Sequence, residues 1–229
     1  MAQPAIRTGQ PGGIPRPFSF MERLKEIDMF FAGTDKVHQT MRRVADKLEA
    51  ARISYAIVGG MAVNAHGHER TTKDVDFLLT AEGLTAFVQH YVNKDFEPVP
   101  GRPRRFQDRD NGVMFDFLVM GFFPGSGQPG PIVYPNPADV SELIENRQVV
   151  NLPTLIQLKL AARRYKDFGD VVELIRVHNL EESFQDKLDP SVRADYIECL
   201  EEKRREDEYE VRQDRAVEEK LREQQPPPS

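Results

Sequence analysis

The 229-residue sequence predicts an α/β (α+β) fold, a mixed β-sheet flanked by helices with a helical C-terminal region, on three observations. Residues 53–58 (ISYAIV) form an apolar run rich in β-branched and aromatic types, the signature of a buried strand, and Gly59-Gly60 stops it. Two further apolar runs, one ending at Leu79 and one over 113–120 (VMFDFLVM), have the length and composition of strands. Between and after these runs, apolar residues recur at helical spacing, above all downstream of Pro153.

Residues 1–18 hold several Pro and Gly without apolar periodicity and read as a disordered tail. Ser19 and Glu22 have capping-box spacing, and Phe20, Leu24, Ile27 and Phe31 predict a helix to about Phe31. Thr34 is placed to cap a second helix, whose core stripe is Val37, Met41, Val44, Leu48 and Ala51. After the strand over 53–58, residues 61–66 read as the first turns of a helix. Thr80 can cap the next one, which carries Leu84, Phe87, Val88 and Tyr91. Residues 96–99 form a short strand, Arg102, Arg104 and Arg105 lead into another, and Asn111-Gly112 is a hairpin turn signal before 113–120. The Pro- and Gly-rich stretch 122–137 is a lid or a plain connection, with an extended piece near 132–134. Residues 138–145 read as a short helix and 148–151 as an edge strand. The segment LPTLIQLKLAARRYKD follows as a helix, with a second helix, DFGDVVELIRVH, after a break near Gly169. From Glu181 onward acids outnumber bases 16 to 9. Residues 191–222, dense in charge and sparse in apolar residues, predict a solvated projecting helix or a partner-binding arm, with a disordered end. The expected organisation is a core over 19–150, a helical part of the same domain over 151–190, and a charged arm with its tail over 191–229.

Composition narrows the function. The formal charge of −6 provides no global basic field for nucleic acid, which leaves room for a local basic patch. No stretch approaches the roughly 20 apolar residues that span a bilayer, and the N-terminus has no apolar signal core. Cys199 is the only cysteine and cannot form an internal disulfide, which fits a cytoplasmic protein. There is no Cys/His cluster with zinc spacing. His66 and His68, either side of Gly67, read as solvent-facing loop histidines.

The chemistry concentrates between 53 and 79. Gly59 and Gly60 permit a sharp turn and close approach of a ligand to the main chain. Asp74 and Asp76 lie two apart in a strand, so both carboxylates leave one face while Val75, Phe77 and Leu79 point into the core. Neighbouring carboxylates repel unless a cation neutralises them, and an all-oxygen pair suits Mg²⁺; a solvated strand end is the plain alternative. Asp116 is the single charge in the apolar run 113–120, so it meets a cation or lies at an exposed edge.

The pattern Gly-Gly, then R-x-T-x-D-x-D at Arg70, Thr72, Asp74 and Asp76 followed by apolar residues, resembles the DNA polymerase β-like nucleotidyltransferase superfamily. Within it the chain is most similar to minimal bacterial nucleotidyltransferases, including abortive-infection AbiEii-type toxins, which also use Gly-Gly where the superfamily commonly has Gly-Ser. The resemblance extends in blocks to Asn179. It includes Lys159 on a helix and R-x-K-D-x-x-D at Arg164, Lys166, Asp167 and Asp170. It implies a nucleotidyltransferase core that moves a nucleoside monophosphate from an NTP to an acceptor hydroxyl with Mg²⁺ or Mn²⁺. Asp74, Asp76 and Asp116 would be the catalytic and metal-binding carboxylates. Gly59, Gly60, Arg70, Thr72 and Lys159 would bind the nucleotide. Lys159 would reach into an exposed cleft or snorkel at the surface, while Asp170 would pair with Arg164 or Lys166.

The acceptor is open. Arginines from Arg102 to Arg109 could touch tRNA or another RNA, as in toxins of this type, or form a solvated hairpin. Small molecules such as aminoglycosides, and protein hydroxyls, are alternatives. The charged C-terminal helix could take an antitoxin-like protein partner. A non-catalytic nucleotide-binding or protein-interaction module on the same fold is the competing reading.

Overall fold

A computed structural model describes residues 19–223; the expected disordered segments at 1–18 and after 223 lie outside the described residues. Seven strands form one mixed sheet in the order β3-β4-β5-β2-β1-β7-β6. They are β1 (Tyr55–Val58), β2 (Asp74–Leu79), β3 (Phe96–Val99), β4 (Arg102–Asp108), β5 (Met114–Val119), β6 (Ser141–Ile144) and β7 (Arg147–Val150). The helices are α1 (Phe20–Phe31), α2 (Lys36–Ala50), α3 (Gly59–Ala65), α4 (Ala81–Tyr91), α5 (Pro137–Val140), α6 (Leu152–Ala162), α7 (Tyr165–Val177) and α8 (Pro190–Glu223). This is the predicted mixed sheet flanked by helices.

Strand periodicity divides the sheet chemically. Val75 and Phe77 of β2, with Phe115 and Phe117 of β5, are fully buried on one face, where Phe87 of α4 packs 4.7 Å from Phe117 and 5.4 Å from Phe96. Ring pairs at these separations contribute beyond simple area burial. Asp74, Asp76 and Asp116 occupy the alternating positions, so they leave from the opposite face. Helix α2 is joined to the sheet through buried Asp108, which accepts from Thr40 Oγ1 and Arg43 Nη1, each at 2.8 Å.

Several local expectations change. Asp35, not Thr34, caps α2, because its carboxylate accepts from the Val37 and His38 amides while Thr34 Oγ1 donates back to Met29 O. The expected helix over 138–145 is the single turn α5 followed by β6, which pairs with β7 around Glu145 and Asn146. Both turn residues have positive φ, as a two-residue hairpin requires, and a Glu there masks the signal. Strand β7 is therefore not an edge but lies between β1 and β6. The break between α6 and α7 falls at Arg163, which is left-handed, and Gly169 lies inside α7. His66 is buried and bonds Val150 O at 2.8 Å, so it is not a solvent-facing loop histidine. The loop 122–137 is tied to the sheet by Gly121 N to Tyr134 O and Tyr134 N to Phe122 O, with Ile132 and Tyr134 buried.

Helix α8 has two parts. Val192, Tyr196, Cys199 and Leu200 are buried in the core, so this part is not solvated, whereas Tyr209, Val211, Val217 and Leu221 are exposed. Among the described residues, no helix is long and apolar enough to cross a membrane.

Candidate active site

The junction of β1 and α3 starts the site. Gly59 has φ +65°, and a Cβ there would stand 2.1 Å from Asp76 Oδ2, so only glycine fits. A Cβ on Gly60 would stand 2.9 Å from Thr72 Oγ1 and 3.2 Å from Arg70 Nη2. The backbone of the glycine pair thus touches the side chains of the R-x-T-x-D-x-D stretch. Asn64 fixes that stretch to α3: its Nδ2 donates to Gly60 O at 3.0 Å and Arg70 O at 2.8 Å, and its Oδ1 accepts from Arg70 N.

Strands β2 and β5 are parallel neighbours in a register that sets Asp76 beside Asp116, and β4 sets Arg105 beside Asp116. Asp74 is two residues before Asp76 on the same face. Arg105 Nε donates to both Asp116 oxygens at 3.0 Å; its Nη2 reaches Asp116 Oδ2 at 2.5 Å and Asp74 Oδ2 at 3.4 Å. Thr72 Oγ1 donates to Asp74 O at 3.2 Å. Among the described residues no hydrogen-bond donor meets the Asp76 carboxylate. Burial pushes the Asp76 carboxyl up to about 7; the charges of Asp74 and Asp116 push the same way, while Arg164 and Lys159 pull it down.

This donor set has the chemistry of a Mg²⁺ or Mn²⁺ site: three carboxylates, oxygen donors only, and one acid left without a partner. Among the described residues, however, no three His, Cys, Asp or Glu side chains are gathered as a group that could hold a metal ion. The Arg105 guanidinium is hydrogen-bonded to oxygens of Asp116 and Asp74 that a cation would use.

A second charge cluster lies behind the glycine turn. Lys159 Nζ donates to Asp170 Oδ2 at 2.6 Å and Asp167 Oδ1 at 3.3 Å. Arg70 Nη2 donates to the same Asp170 oxygen at 3.0 Å, with its Nε 2.6 Å from Asp170 Oδ1. Arg164 donates to Asp167 from Nε and Nη2. Lys159, Asp167 and Asp170 are all buried. Three cations thus share two carboxylates, and the cluster carries an excess positive charge.

The structure therefore brings Gly59, Gly60, Arg70, Thr72, Asp74, Asp76 and Asp116 to one end of the β1–β2–β5 unit. Lys159 departs from its expected setting. It is neither an exposed cleft lysine nor a snorkelling one, because α7 closes over it and presents two aspartates. Asp170 pairs with Lys159 and Arg70 rather than with Arg164 or Lys166, and Lys166 is exposed with no ion pair among the described residues. Arg105 belongs neither to a solvated hairpin nor to a free basic surface. Two residues that the sequence does not single out for the site also lie here, Asn64 and Tyr134, while Arg164 of the downstream motif binds Asp167 and eases charge on Asp76. The Tyr134 hydroxyl is pushed up to about 12 by burial, with the Asp76 charge adding to it. The arginine-rich stretch 102–109 was the signal for Arg105; Tyr134 left none, since a tyrosine in a loop has no pattern.

The chain matches no protein-family model and no curated protein by sequence. Solved structures do resemble it. They include ANT(2")-Ia in complex with adenylyl-2"-tobramycin, at 12% identity and TM-score 0.44 over 70% of this chain and 96% of that one. An antigenic nucleotidyltransferase-like protein from Paracoccidioides brasiliensis aligns at 17% identity and TM-score 0.41, over 63% of this chain and 77% of that one. JHP933 from Helicobacter pylori aligns at 14% and 0.42, over 66% and 71%.

Proposed function

We propose that the protein is a Mg²⁺- or Mn²⁺-dependent nucleotidyltransferase, moving a nucleoside monophosphate from an NTP to an acceptor hydroxyl with release of pyrophosphate. The observation that carries this is the register that sets Asp76 beside Asp116, with Asp74 on the same face and the Gly59 backbone against Asp76. Asp74, Asp76 and Asp116 would hold the cation, which when bound neutralises phosphate charge and lowers the acceptor hydroxyl's pKa. Gly59 and Gly60 lack a Cβ, which lets Asp76, Thr72 and Arg70 close against the turn, and their backbone N–H groups would meet the triphosphate. Arg70 and Arg164 would offset charge developing on the phosphate oxygens, as phosphoryl chemistry requires. Thr72 fixes the backbone at Asp74. Lys159 acts from behind: it orients Asp170, which holds Arg70.

The finer reading, an RNA acceptor as in AbiEii-type toxins, draws on Arg102 and Arg104, which are exposed; Arg104 lies over the exposed Phe122 ring at 5.6 Å. A second reading, a nucleotide-binding module without transfer, draws on Arg105, which already partly neutralises the acids.

The test is incubation with each α-labelled NTP and Mg²⁺, with total RNA or total protein as acceptor. Wild-type protein should label one acceptor class, and Asp76→Ala should lose at least about 10²–10³ of the rate. NTP binding without label on any acceptor would select the binding module. Absence of metal-dependent NTP binding by calorimetry would refute the transferase reading and favour the module.

A further inference from the structure

Arg105 is engaged by the site acids themselves, unlike the exposed Arg102 and Arg104 on the same strand. It donates from Nε and Nη2 to Asp116 and reaches Asp74, and its own pKa is raised by these partners, Asp116 first. It comes from β4, outside the β1–β2–β5 unit that supplies the acids and the glycine turn. Its side chain is about one-third exposed, so it can leave toward solvent without disturbing the core. A fork-shaped guanidinium matches a carboxylate, and three carboxylates on one face otherwise repel.

We propose that Arg105 is a displaceable counter-ion: it neutralises Asp116 and Asp74 in the metal-free protein and competes with the divalent cation for the same oxygens. This rests on the reading of Asp74, Asp76 and Asp116 as cation ligands. Metal affinity is thereby held down until a phosphate group accompanies the cation. The guanidinium, once released, regains a bidentate acceptor on the phosphate it would otherwise lack. The site so favours the cation with its nucleotide over the cation alone, and the acids do not need metal to fold.

The experiment uses the full chain and Mn²⁺ alone, followed by calorimetry, with thermal melts in EDTA and in Mn²⁺. Arg105→Ala should bind Mn²⁺ about tenfold to a hundredfold more tightly than wild type, since one charge-assisted fork no longer competes. It should melt below wild type in EDTA and recover in Mn²⁺, because the ion takes the place of the guanidinium. Arg105→Lys, which keeps the charge without the fork, should fall between the two in affinity. If Arg105→Ala does not fold, Arg105→Lys carries the test. Mn²⁺ affinity in the folded variant equal to or below wild type overturns the proposal, as does no Mn²⁺ binding to either protein. Tighter Mn²⁺ binding in Arg105→Ala with no transfer to any acceptor would remove the transferase reading alone. Transfer by wild type with unchanged Mn²⁺ affinity in the variant would remove this inference alone.

Discussion

Two charge clusters meet at the glycine turn, and they are built in opposite ways. On the sheet face, one guanidinium serves Asp116 and Asp74, both partly exposed, and leaves Asp76 without a donor. Behind the turn, the cluster of Arg70, Lys159, Arg164, Asp167 and Asp170 is largely buried and each carboxylate has two cationic partners. A buried ionic group must be paired to be tolerated, so the second cluster is structural first. The first remains unbalanced, three acids against one guanidinium, and the proposed cation site rests on that imbalance. The two act together because Arg70 and Gly60 touch and because Lys159 and Arg164 both lower the cost of charge on Asp76.

The contrast breaks if removing an acid has the same effect in both clusters. Asp170→Ala leaves Lys159 buried with Asp167 at 3.3 Å as its remaining partner and Arg70 with Thr71 O alone. It should cost about 3–5 kcal/mol in a urea titration, the penalty for breaking a buried pair from one side. A loss below about 1 kcal/mol would mean that water or Asp167 replaces it and that the cluster is not structural.

Asp76→Asn should do the reverse. The folded carboxyl keeps its proton to about 7, whereas the unfolded one loses it near 3.8, so between these values the folded state binds more protons. Stability from this group is therefore lost as pH rises from about 4 to about 7, then levels off. In EDTA, Asp76→Asn should leave stability unchanged near pH 4 and raise it at pH 8, on the order of 2–4 kcal/mol. Urea midpoints at the two pH values measure this, and a mutant destabilised at pH 8 would contradict the repulsion.

Gly59→Ala tests where the clusters join. The added Cβ meets Asp76 Oδ2 and the residue must hold φ +65°. A loss of about 1–3 kcal/mol is expected in thermal melts, with weakened NTP binding beside it. The smallest effect calibrates the rest. Truncation after Asp207 removes helix that is exposed over 208–222, with the residues that follow it, and keeps the Arg176 pairs to Glu206 and Asp207. It should change core stability by no more than about 0.5 kcal/mol. A larger loss would show that the outer part of α8 packs on the domain.

The sequence by itself determined most of the framework. The β1 run and its glycine stop, the alternation that separates Asp74 and Asp76 from Val75 and Phe77, and the apolar β5 run around Asp116 are local patterns, and period-two geometry fixes their faces. Cap and hairpin signals fixed most helix starts, and failed where a side chain competed. Asp35 outbid Thr34, and Glu145 accepted a conformation its type rarely adopts. Only the tertiary structure decided which charges meet. Arg105 reaches Asp116 because β4 and β5 pair in one register, and Lys159 is buried because Arg163 turns the chain left-handed and folds α7 back over α6. Those pairings join residues whose contact depends on register and on the direction of a helix return. Neither quantity is written in local periodicity, so the chain displays its acids in sequence and reveals their partners only when folded.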